Sequence, residues 1–300
     1  MRFKRSRQVL TLLAFLLVIT MGFYVNFKLR PPFWTSHDFY VDSKPNHASF
    51  VAFVVPSRSK SDWFHPLNAT LITTLLPSLE RSLTPDAKFR IEVLVVFDNG
   101  DVFWETPSIM DHTRASTKFP VHFISVEKSG RIPHNEGCRQ VYEMGADYIV
   151  RVNDDTEFLS ANWLELAIQT LQGFKPSNFG VVGPTCADGN VNILTHDMVH
   201  RTHLDMFEEY YPREFDNWWL DDWISAVYGE RHTKKLEEWR VAHNTHSYGQ
   251  RYTENLTQQN LLPEVLLRSK QQLIDSCTIG PPNHTRTLIA QSPGVTVYKK

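Results

Sequence analysis

The chain is poor in most of the features that announce a specialised class. It holds three cysteines in 300 residues: Cys138, Cys186 and Cys277. Three thiols make no disulfide framework, and there is no C-x-x-C pair to bind zinc. At most one bridge can close within the chain, and the sequence does not choose its members. Charge of one sign is lacking as well. The 31 Lys and Arg against 33 Asp and Glu leave a formal charge of −2, which excludes a polyelectrolyte partner such as nucleic acid. There is no internal repeat and no low-complexity tract, so solenoids and linker-like chains are excluded.

Long hydrophobic runs are also scarce, with one exception. Val9 to Val25 reads VLTLLAFLLVITMGFYV without a charge, and residues 8–27 together reach the length that spans a hydrocarbon core of ~30 Å. Arg2, Lys4, Arg5 and Arg7 precede the run, while Lys28 and Arg30 follow it. This bias predicts a cytosolic tail at 1–7, a transmembrane signal anchor at 8–27 and a lumenal remainder. The bulky FYVNF that ends the run offers no small-residue cleavage site, which argues against a removed signal peptide. Three sequons, Asn68-Ala-Thr, Asn255-Leu-Thr and Asn283-His-Thr, fall on the predicted lumenal side. A polar stem with three prolines occupies 28–48, and one domain at 49–300 is long enough to bury a sizeable core.

Within that domain, short apolar runs alternate with helical stretches. Phe50-Val-Ala-Phe-Val-Val-Pro56, Ile91-Glu-Val-Leu-Val-Val-Phe97, Val121-His-Phe-Ile-Ser-Val126, Asp147-Tyr-Ile-Val-Arg-Val152 and Phe179-Gly-Val-Val-Gly183 read as buried strands. Helices are expected at about 67–83, 135–144 and 161–174. The pattern predicts an α/β fold with a mostly parallel sheet and flanking helices. Such sheets bind ligands at the carboxyl ends of their strands. Those ends carry Pro56-Ser57-Arg58, Asp98-Asn-Gly-Asp101 and Asn153-Asp154-Asp155.

Adjacent carboxylates after a buried strand suit a hard divalent cation bridging a diphosphate, so Mn²⁺ or Mg²⁺ is expected. The stretch His134-Asn-Glu-Gly-Cys-Arg-Gln-Val-Tyr-Glu-Met-Gly-Ala-Asp-Tyr-Ile-Val-Arg-Val-Asn-Asp-Asp155 resembles the nucleotide-sugar-dependent glycosyltransferases of the GT-A fold, a Rossmann-like architecture. There an Asn-led helix precedes a strand that ends in a D-x-D-type metal motif. The resemblance spans about residues 49–250 and departs from D-x-D at Asn153, which ligates a cation more weakly. It implies Asp155 as metal ligand and Asn153 and Asp154 as contacts to sugar or ribose hydroxyls or metal-bound water. It further implies Pro56, Ser57 and Arg58 as a nucleotide loop, Arg58 facing the diphosphate, Asp98 at the base or ribose, and Asn135 at the nucleotide.

Two more segments carry expected chemistry. Tyr211-Pro-Arg-Glu-Phe-Asp-Asn-Trp-Trp-Leu-Asp-Asp-Trp223 resembles the acceptor side of inverting members, where an acidic pair starts a helix. Asp222 is the expected base and Asp221 its companion, with Trp218, Trp219 and Trp223 offering flat faces to a sugar. Trp239-Arg-Val-Ala-His-Asn-Thr-His-Ser-Tyr-Gly249 offers His246 as a further metal ligand, with His243 the second choice. The other histidine-rich stretch, Thr195-His-Asp-Met-Val-His-Arg-Thr-His203, lacks zinc spacing and is expected to flank the acceptor side.

The sequence therefore predicts a type II membrane glycosyltransferase of the Golgi or endoplasmic reticulum. It would move a sugar from a nucleotide-sugar donor, UDP-hexose or UDP-N-acetylhexosamine, to a glycan or glycoprotein acceptor with inversion. A retaining transferase and an inactive lumenal glycan-binding or partner protein are the alternatives.

Overall fold

The computed structural model describes residues 48–83, 88–188, 190–244, 251–279 and 295–298. The expected tail and anchor, all but the last residue of the stem, and His246 lie outside the described residues. Among those described, no helix is long and apolar enough to cross a membrane.

The chain opens with β1 (Ser49–Pro56), buried along nearly its whole length. A single turn at Pro66–Asn68 and a wide helical turn at Leu71–Leu75 lead into α1 (Leu76–Ser82). Next come β2 (Phe89–Asp98), α2 (Val102–Glu105), α3 (Pro107–Ala115), β3 (Val121–Val126), α4 (His134–Glu143) and β4 (Tyr148–Arg151). The second half runs β5 (Thr156–Phe158), α5 (Trp163–Gly173), β6 (Val181–Cys186), β7 (Asp197–His200), α6 (Thr202–Met206), α7 (Leu220–Val227), β8 (Thr233–His243), α8 (Leu262–Ile279) and β9 (Val295–Tyr298).

These strands form one sheet in the order β5-β8-β6-β7-β4-β1-β2-β3-β9. Its centre, β4-β1-β2-β3, is parallel throughout. Outside that centre β7 runs antiparallel to both β4 and β6, β5 antiparallel to β8, and β9 antiparallel to β3, while β6 and β8 are parallel. The sheet is thus mixed rather than mostly parallel. The antiparallel members β5, β7 and β8 are short or carry polar residues, and they lack the continuous apolar signature of strands covered on both faces.

Alternation along β1 shows why its run is apolar without a break. Val51, Phe53 and Val55 enter one core, beneath α1 and α5, and Phe50, Ala52 and Val54 enter the other, beneath α4 and α7. The first core includes Trp163 stacked on Trp239 with ring centroids 4.1 Å apart. In the second, α4 lies so close to the sheet that a Cβ at Gly137 would meet methyls of Val54 and Val96, each at 2.6 Å. All three cysteines are free thiols, and Cys138 and Cys186 are buried.

Candidate active site

Because β1, β2 and β4 are parallel neighbours, the polar clusters after them meet at one edge of the sheet. Ser57 donates its hydroxyl to Asp154 Oδ2 at 2.6 Å and accepts Trp104 Nε1 at 3.1 Å. The Arg58 guanidinium turns to Asp98, with Nε 3.0 Å and Nη2 2.5 Å from Oδ2. The next residue, Ser59, donates its N–H and hydroxyl to Asp101. Asp98 is buried, and its Oδ1 has no hydrogen-bond donor among the described residues.

Two residues far along the chain complete this corner. Arg251 grips Asp154 with both terminal nitrogens, Nη1 at 2.7 Å from Oδ2 and Nη2 on Oδ1, and also donates to the Arg58 carbonyl. Tyr252 places its ring 3.8 Å beneath the Arg58 guanidinium carbon. Its buried hydroxyl also lacks a partner among the described residues, and burial pushes its pKa up.

A carboxylate–imidazole corner lies beside it. Asp155 Oδ1 is buried and receives no aligned hydrogen bond, yet His243 Nε2 stands 3.1 Å away. The same ring nitrogen lies 2.9 Å from the Asn153 amide nitrogen, which can only donate, so the neutral ring spends its one Nε2 lone pair on Asn153, whereas the protonated ring donates to Asp155. A cation held by both would replace the Asn153 contact at Nε2, beside the carboxylate oxygen that has no aligned hydrogen bond. Burial works to raise the Asp155 carboxyl, but the His243 contact and charge, helped by Arg251, outweigh it and hold it below its usual value. Among the described residues no group of three or more His, Cys, Asp or Glu gathers around one point. Asp155 and His243 would be two ligands to such a cation, and the remaining positions would be filled from outside these side chains.

Helix α7 begins after Trp219, whose φ of +71° is a left-handed conformation that bulky residues avoid. Asp221 Oδ1 takes a 2.7 Å bond from Arg151 Nη2; its side chain keeps 35% of its surface, yet the dense protein around the carboxylate pushes its pKa up to about 6 against the pull of that guanidinium. Asp222, in the same first turn, is half-buried, which raises its pKa. It has no side-chain hydrogen-bond partner among the described residues. Trp223 is wholly buried and donates to Ser269, so it belongs to the core, whereas Trp218 and Trp219 keep exposed surface.

The structure therefore brings together Pro56, Ser57, Arg58, Asp98, Asn153, Asp154 and Asp155. The Asn135 side chain makes no hydrogen bond to any of these among the described residues. Its amide exchanges two bonds with the Tyr211 backbone, at 2.9 and 2.8 Å, and pins α4 to the aromatic loop. Arg251, Tyr252, Arg151 and Asp197 went unread in the sequence. Arg151 did carry a signal, because a charge inside an otherwise apolar strand must find partners.

No family profile and no curated protein sequence matches this chain. Its fold is similar to solved structures at low identity. TarS of S. aureus is 15% identical with a TM-score of 0.47, over 76% of this chain and 42% of TarS, so the chain spans less than half of that protein. The mannosyltransferase PcManGT from Pyrobaculum calidifontis, solved with GDP-Man and Mn²⁺, is 15% identical with a TM-score of 0.47, over 91% and 86% of the two chains. GalNAc-T7, solved with UDP, GalNAc and Mn²⁺, is 10% identical with a TM-score of 0.46, over 79% and 58%.

Proposed function

We propose that this chain is a metal-dependent glycosyltransferase that moves a sugar from a UDP-linked donor to a glycan or glycoprotein hydroxyl with inversion. One observation carries the reading. Ser57–Asp154, Arg58–Asp98 and Asp155–His243 converge at the carboxyl edge of a parallel core, where α/β sheets hold ligands. Two guanidinium groups, Arg58 and Arg251, stand in the same corner and suit a diphosphate. Arg58 occupies Asp98 Oδ2 twice and leaves the buried Oδ1 without a partner among the described residues.

Asp155 and His243 would hold Mn²⁺, which when bound supplies positive charge to the departing nucleoside diphosphate. Asp222 takes the proton of the acceptor hydroxyl as its oxygen attacks the anomeric carbon. Its raised pKa makes it a better proton acceptor than an ordinary carboxylate, and no other side chain occupies it. Asp221 is tied to Arg151 and orients the turn. The proposal includes the anchor at 8–27 and a lumenal domain in the Golgi or endoplasmic reticulum, which protease protection in sealed vesicles tests. Nucleotide release from UDP- and GDP-sugars, with and without Mn²⁺, tests the chemistry. Release from a UDP-sugar only with metal is expected, and its absence across the panel refutes the reading.

A further inference from the structure

We propose that Arg151 is a positioning residue that locks the acceptor-side acids to the strand carrying the metal loop, and that Asp197, Tyr210 and Tyr211 hold it in that pose; the proposal rests on the glycosyltransferase reading. Arg151 is the last residue of β4, and its Cα partner across the antiparallel pairing is Asp197 on β7. Its guanidinium donates in three directions. Nη1 reaches the Thr195 carbonyl at 2.7 Å. Nε reaches the Tyr211 hydroxyl at 2.7 Å and Asp197 Oδ2 at 3.0 Å. Nη2 lies 2.7 Å from both Asp197 Oδ2 and Asp221 Oδ1. Tyr210 and Tyr211 each donate a hydroxyl to Asp197 at 2.5 Å.

Arg151 and Asp197 already balance each other's charge, so a purely structural pair needs no second carboxylate. Buried ion clusters are also weak stabilisers, often replaceable by apolar residues without loss. The exposure pattern gives the cluster a direction. The side chains of Arg151 and Asp197 keep 2% and 0% of their surface, whereas Asp221 keeps 35%. The buried end is anchored on the strands behind the metal loop, and the open end is the acid pair that starts α7. β4 and three segments between residues 195 and 221 thereby share one rigid guanidinium, and the distance between metal and base is set through it. A lysine keeps the charge but cannot donate along three fixed directions.

The test uses full-length protein carrying Arg151→Lys or Tyr211→Phe, the latter keeping the ring and losing only the hydroxyl. UDP binding in the presence of Mn²⁺ and UDP release from UDP-glucose, UDP-galactose, UDP-GlcNAc and UDP-GalNAc are measured on each. With Arg151→Lys, kcat is expected to fall about 10²-fold, the cost of displacing a catalytic group by about 1 Å, while UDP affinity stays within about threefold. Adding Asp221→Asn should cost nothing further, because the two residues act as a unit. Should Arg151→Lys fail to fold, Tyr211→Phe decides, with about a tenfold fall in kcat at unchanged UDP affinity expected. A folded variant with wild-type kcat, or one whose UDP affinity falls in step with kcat, overturns the proposal. Wild-type protein that releases UDP from none of these donors overturns the glycosyltransferase reading instead.

Discussion

Asp155→Asn is the most direct perturbation of the Asp155–His243 corner, because it changes one charge and almost no volume. In the fold the Asp155 carboxylate is buried, its Oδ1 lacks a donor, and His243 Nε2 is 3.1 Å away. If the pair holds Mn²⁺ under a UDP diphosphate, nucleotide and metal together stabilise the native state. At about 100 times the dissociation constant this amounts to about 2.7 kcal/mol, or about 5–10 °C in Tm for a domain of this size. The amide should erase most of that shift. Loss of one of two protein ligands should also cost about 3–4 kcal/mol in the transition state, a fall of about 10²–10³-fold in turnover. Thermal melts with UDP, with Mn²⁺ and with both, followed by nucleotide-release kinetics, measure each quantity. The metal-free protein should lose only about 1 kcal/mol, from the His243 contact and the weaker attraction of Arg251. An Asp155→Asn protein that keeps the combined UDP and Mn²⁺ shift and turns over within about threefold of wild type would refute the assignment.

Burial raises the Asp222 pKa, so the base loses its proton only above the ordinary carboxylate range. Turnover should therefore fall as pH drops through that raised value, and Asp222→Asn should remove this acid limb with a loss of about 10²–10⁴-fold. Asp221 offers a check that needs no activity. With its folded pKa pushed up to about 6 from 3.8, the fold disfavours the ionised form, and stability from this group grows as pH falls from about 6 to about 4. The difference in Tm between wild type and Asp221→Asn should rise across that window, and a flat difference contradicts the assigned shift. Gly137→Ala tests the packing of α4. Its methyl would meet Val54 and Val96 at 2.6 Å, so denaturant midpoints should report a loss of about 1–3 kcal/mol. An unchanged midpoint means that the helix can move off the sheet.

The parts of this site that could be read from sequence are those set by local pattern. Apolar runs at β1, β2 and β4 announce buried strands, and chemistry at the carboxyl ends of parallel strands follows from topology alone. That rule puts Ser57, Asp98 and Asp155 at one edge of the sheet, where the structure has them. What stayed hidden depends on long-range register. His243 reaches Asp155 because Thr156 pairs with His243 across β5 and β8, and a one-residue slip in that pairing would turn the imidazole to the other face. No local rule selects that register, which is why His246, three residues on and outside the described residues, ranked ahead of it. Arg251 meets Asp154 across 97 residues and the Arg58 carbonyl across 193, with no periodicity to announce either contact. Asn135 shows another limit. The sequence places it at the start of α4, where the family resemblance implies a nucleotide contact, and in the fold its amide closes a reciprocal pair with the Tyr211 backbone 76 residues away. A short polar side chain bonds to whatever backbone the fold brings near, so its sequence position fixes where it stands and leaves its partner to the tertiary structure.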